Sequence, residues 1–121
     1  MNLEPVRISD KLTQIHEYWT PKIIGELNGQ QVKLAKLRGS FTWHHHQNED
    51  ELFLVWRGVL KLMLRTGTVT LNPGEFFIVP KGVEHKPVAE EEVHLLMFEP
   101  ASTLNTGNVR NEWTEEDPER I

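Results

Sequence analysis

Apolar positions along this chain change period once. Between Ser9 and Trp19 they fall three and four apart, at Leu12, Ile15 and Trp19. That spacing marks one face of a helix. Ser9 is placed to cap it, and Thr20-Pro21 stops it, because a residue before proline avoids helical geometry. From residue 22 onward the period is two. Lys22–Leu27 and Gln30–Leu37 are predicted strands joined by Asn28-Gly29, a dipeptide that supplies the positive φ angles of a tight hairpin. Glu51–Arg57 and Val59–Arg65 flank Gly58, and Thr68–Leu71 follows Thr66-Gly67. Asn72-Pro73-Gly74 reads as a type II turn. Glu75–Val79 runs into Pro80-Lys81-Gly82, and Val93–Glu99 is the last predicted strand, ended by Pro100.

Short strands with a turn signal roughly every 8–12 residues, and no helices between them, predict an all-β antiparallel sandwich or barrel. The leading helix is then a lid. A chain of 121 residues fits one compact domain spanning 1–121. Residues 101–121 form a polar extension with acidic Glu115, Glu116, Asp117 and Glu119. Leu104 and Trp113 either pin that extension across the barrel or onto a second subunit, or leave it loose.

The chain has no cysteine, which excludes disulfide frameworks, iron–sulfur clusters and thiolate zinc fingers. No apolar run approaches the roughly 18 residues of a membrane span. The first residues lack the basic start and apolar core of a secretory signal. A cytoplasmic protein without a membrane partner is expected. Thirteen basic against 18 acidic residues leave a net charge of -5, without the basic footprint of a nucleic-acid binder. A small molecule is the expected partner.

Within this frame His44 and His46 lie two apart, so on an extended segment both point to one side while His45 points to the other. Glu51 heads a face continued by Phe53 and Val55, where an unpaired carboxylate is costly. A metal ion relieves that cost. His85 follows the Pro80–Gly82 turn, and the fold must return it to the same cavity. Three imidazoles and one carboxylate suit Fe, Mn, Co, Ni, Cu or Zn, with no sulfur to narrow the choice. An ion that keeps an open position can polarise a substrate or bind dioxygen; a tetrahedral zinc with all four ligands engaged would be structural. Glu51 is also a candidate proton acceptor, and His94, in the last strand, a candidate proton shuttle.

The motifs resemble those of the cupins. Gly39, His44-x-His46, Glu51 and Gly58 match the first cupin motif, with four residues rather than five between Gly39 and His44. Gly74, Pro80, Gly82 and His85 match the second, with Ala89 where the family prefers Asn. The likeness covers about residues 30–100. It implies a double-stranded β-helix, or jelly-roll, barrel with His44, His46, Glu51 and His85 as ligands of one divalent metal. It also implies a homodimer in which Lys22–Leu27 crosses to the partner. The expected function is metal-dependent chemistry on a small organic substrate, of oxygenase or isomerase type. The alternative is a non-catalytic module that binds or senses a small ligand through its metal.

Overall fold

The computed structural model describes residues 3–121. Its one α-helix is α1 (Ile8–Leu12), and its strands are β1 (Lys22–Leu27), β2 (Gln30–Ser40), β3 (Glu51–Arg57), β4 (Leu60–Leu64), β5 (Gly67–Leu71), β6 (Phe76–Val79) and β7 (His85–Pro100). All strand pairs are antiparallel. The architecture is that of the jelly-roll barrel, rich in strand and poor in helix.

The helix is shorter than its periodicity predicts. It ends at Leu12, and Ser9 lies inside it rather than capping it; the cap position is Arg7. Tertiary packing overrides the local pattern. Leu12 and Ile15 bury themselves on Leu34, while Trp19 is drawn into the barrel and stacks on Phe41 at 4.7 Å. Its indole N–H donates to the Arg38 carbonyl at 2.9 Å. Reaching inward takes Trp19 out of helical geometry, to a φ of 62°.

The hairpin between β1 and β2 turns at Asn28-Gly29, with φ of 51° and 78° as its sequence demands. The turn before β6 closes with the Glu75 N–H on the Asn72 carbonyl at 3.0 Å. The largest departure from the sequence pattern is β7, sixteen residues long where only Val93–Glu99 is predicted. Glu90-Glu91-Glu92, three exposed carboxylates that resemble a loop, instead mark a bend within one strand. Before the bend β7 pairs with β4, and after it with β3. Strand β2 follows it on the other side from Gln30↔Pro100 to Ser40↔Val88, which is why β2 outruns its predicted end at Leu37.

Alternation along β2, β3 and β7 sends one parity into the barrel. Ala35, Leu37, Phe53, Val55, Val93, Leu95 and Met97 form the core with Leu60, Leu62 and Leu71. The strand expected to cross to a partner, β1, is engaged within its own chain. It pairs with β2 along its length, and Ile23 also exchanges backbone hydrogen bonds with Glu119 and Ile121. The polar extension is therefore pinned, not loose. No helix among the described residues is long and apolar enough to cross a membrane.

Candidate metal centre

Three separate stretches of chain bring the four candidate ligands together. His44 and His46 lie in the extended link before β3; Glu51 opens β3; His85 opens β7. His44 belongs to no named strand, but it forms a bridge with His85 in which each N–H donates to the other's carbonyl, at 3.1 and 2.9 Å. The Gly82 N–H donates to the His46 carbonyl at 2.7 Å, and the Lys81 N–H to Asp50 Oδ1 at 2.8 Å. The Pro80–Gly82 turn is thus sewn to the link that carries the first two histidines. Backbone bonds, not side-chain packing alone, fix these donors.

Each of the four residues offers an atom, and these atoms all lie within 4.8 Å of one another. All four residues are buried. Glu51 Oε1 stands 3.3 Å from His46 Nε2 and 3.4 Å from His85 Nε2. The Nδ1 atoms of His44 and His85 sit 2.9 Å from the Thr42 and Val83 carbonyls. A carbonyl only accepts, so in each ring Nδ1 carries the proton and Nε2 keeps a lone pair for the centre of the cluster. A backbone carbonyl in that role is usual for a ligating imidazole. His46 Nε2, His85 Nε2 and Glu51 Oε1 are buried without a hydrogen-bond partner. Buried polar atoms rarely stay orphaned, and three that point at one another are a donor set suited to a cation. The donor set is compatible with a divalent metal.

The electrostatics agree. Burial, reinforced by the neighbouring His85, lowers the His44 pKa to about 4, so the ring is neutral and able to ligate at pH 7. Burial alone would raise the Glu51 carboxyl. The polar neighbours Glu99, His46 and His85 outweigh it and hold Glu51 well below the usual carboxylate range.

An apolar cavity of about 40 Å³ adjoins the cluster. Its walls include Trp19, Leu37, Phe41, Phe53, Leu95 and Met97, and its polar members are His44, Glu51 and Asn105. Trp113 packs from outside on Phe41, with ring centres 5.5 Å apart, and its carbonyl accepts from Asn105 Nδ2 at 2.7 Å. The extension also grips the histidine link. Asn108 accepts from the His45 N–H through Oδ1 at 2.9 Å and donates its own N–H to the His45 carbonyl at 3.1 Å. A Cβ on Gly107 would stand 2.2 Å from that carbonyl oxygen.

The expected positions fare differently. His44, His46, Glu51 and His85 are brought together, and His45 is turned away as its parity requires. His94 is not brought to the cluster. It alternates with the inward Val93 and Leu95, pairs with Glu92 at 2.7 Å, and lines an outer cleft beside Lys36, Trp56 and Arg57. The sequence reading missed Trp19 and Asn105 in the cavity wall, and Lys33 and Glu99 behind Glu51. For the last two a signal existed: both sit at inward positions of alternating strands.

Comparison with known proteins agrees with the fold. The family model for the cupin domain (Cupin_2) matches residues 30–99. A cupin-2 domain containing protein from Shewanella frigidimarina is 42% identical, with a TM-score of 0.78 over 78% of this chain and 93% of its own. Protein NMB1881 from Neisseria meningitidis is 33% identical, with a TM-score of 0.74 over 81% of this chain and 100% of its own. The uncharacterized protein YdbB of Bacillus subtilis is 38% identical over 64 residues, 52% of this chain; the chain spans only 57% of that relative's length. On the strength of its residue 30–99 match, its barrel and its motif residues, this chain belongs to the cupin family.

Proposed function

We propose that this protein holds one divalent transition metal through His44, His46, Glu51 and His85, and that the metal binds a small organic ligand in the adjoining cavity. One observation carries the reading: four buried donor atoms within 4.8 Å, with the Nε2 atoms of His46 and His85 and Oε1 of Glu51 otherwise unpartnered. A bound metal supplies Lewis acidity and an open position for an oxygen donor. The protein supplies the rest. His44 and His85 turn Nε2 toward the site because the Thr42 and Val83 carbonyls accept from their Nδ1 atoms. Glu51 contributes charge. A carboxyl held so far below its usual range is a weak proton acceptor at neutral pH, so its role is that of ligand.

The cavity walls bear on the substrate. A sugar brings many hydroxyls, each needing a partner when buried. The walls offer His44, Glu51 and Asn105 among mostly apolar neighbours. This favours a ligand with an apolar or aromatic body and one or two oxygen donors, and so oxygenase-type chemistry over sugar isomerisation. At about 40 Å³ the partly open cavity has room for a few waters but not for a ring. A ring-sized ligand therefore enters by displacing part of the wall.

A homodimer suits the outer face of the sheet, where Ile78, Leu52 and Phe98 form one cross-strand row and Phe76, Leu54 and Leu96 the next. Phe76, Ile78 and Trp56 stand about half exposed or more, and β6 is an open edge. A cysteine-free chain suits a reducing cytoplasm.

Metal analysis of the protein after loading and desalting tests the central reading. About one equivalent is expected in the natural chain. His85→Ala and Glu51→Gln should each lower affinity by more than 100-fold, beyond the 10–100-fold typical of residues behind the ligands. Full loading of both variants would sink it.

A further inference from the structure

Two charged side chains lie deep in the barrel behind the metal cluster. Lys33 is 2% exposed and Glu99 1%. Both occupy inward positions whose neighbours on the same strands are apolar: Ala35 and Leu37 on β2, Leu95 and Met97 on β7. Strand register explains how they meet. Gln31 pairs with Glu99 and Lys33 with Met97, so Lys33 is diagonal to Glu99 on one face. Leu52 pairs with Phe98, so the next residue outward, Glu51, faces Glu99. Lys33 Nζ donates to Glu99 Oε1 at 2.8 Å. Glu99 Oε2 is buried without a protein donor. The β3–β7 register places the Glu51 carboxyl beside it.

As a stability device this arrangement is poor. Replacing a buried ion pair with apolar side chains of similar volume is often neutral or stabilising. The pair makes more sense through what it does to Glu51. Glu99 lies on β7, between Lys33 on β2 and Glu51 on β3, and without it the ammonium would have no carboxylate partner on its own side of Glu51. With Glu99 between them, the ammonium is occupied. Glu51 is then held from behind while its Oε1 faces the two imidazoles.

We propose that Lys33 and Glu99 are positioning residues for the metal ligand Glu51: Lys33 anchors Glu99, and Glu99 both aims the Glu51 carboxylate at the ion site and shields it from the Lys33 charge. The inference rests on the metal-centre reading above.

The test uses the full chain with Co(II), its affinity measured against a competing chelator and its site read by visible absorption. The double variant Lys33→Met/Glu99→Leu removes both charges. It should melt, metal-free, at or above the natural temperature, yet bind Co(II) about 10–100-fold more weakly and with a shifted spectrum. Glu99→Gln keeps an N–H to offer Glu51 and should retain more affinity than Glu99→Leu; that rescue separates positioning from bulk. Should the double variant fail to fold, the Glu99→Gln and Glu99→Leu pair carries the comparison alone. Equal affinity and an unchanged spectrum in every folded variant would overturn the proposal while leaving the metal centre intact. A natural chain that binds no Co(II) would overturn both.

Discussion

Mild acid should destabilise the protein without metal, and His44 is one cause. Its pKa is about 4 in the folded chain because burial opposes the charge, against 6.5 for the free side chain. On acidification the unfolded chain takes up this proton first. The stabilising contribution is therefore complete above about pH 6.5, is lost as pH falls toward 4, and changes no further below that. The upper bound is about 3 kcal/mol. Urea unfolding of the metal-free protein at pH 7 and pH 4.5 should show the loss, and His44→Gln should remove this part of the slope. An identical slope in that variant would assign the acid sensitivity elsewhere. The sides taken by His44, His46 and Glu51 were legible in the sequence because two-residue spacing on extended chain maps directly onto side, whereas His85 was reached only through the resemblance to the cupin motifs. Lys33 and Glu99 obey the same parity, inward with Ala35 and Met97, but a charged residue reads as solvated until a partner is seen. That partner lies on another strand, 66 positions away along the chain.

Among the elements, the segment after β7 has the most unexpected role. Its polar, acidic composition allowed either a pinned or a loose tail. What pins it is backbone complementarity: Asn108 with His45, and Glu119 and Ile121 with Ile23. Neither pairing leaves a trace in hydrophobic periodicity. Gly107 is the tightest point, with a φ of 59° and no room for a Cβ against the His45 carbonyl. Gly107→Ala should destabilise the fold by about 1–3 kcal/mol and weaken metal binding as well, because the displaced carbonyl lies between two ligands. Thermal melting with and without metal would show both effects, and a variant that melts and binds normally would mean the segment yields without cost. Strand β7 shows the opposite failure of pattern reading. Its existence was legible in Val93–Glu99, but its true length was hidden by Glu90–Glu92, which are exposed because the strand bends there.

For the assembled protein, the apolar rows on the outer sheet face set the expectation. An open face carrying Phe76, Ile78 and Trp56 is larger than the scattered apolar residues of an ordinary surface. Light scattering should report a dimer at micromolar concentration, and Ile78→Lys with Phe76→Lys should give a monomer that still binds metal. A natural chain that stays monomeric would remove the dimer from the proposal. Inside the barrel, the wall that must give way for a ring-sized guest and the link that carries two of the donors share one tether. Trp113 leans on Phe41, Asn105 grips Trp113, and Asn108 holds His45 between His44 and His46. On the proposed reading, a guest entering there should be felt at a bound ion. A loaded centre would change colour as a visitor squeezes in, making the metal an indicator of occupancy even for compounds the protein leaves untouched.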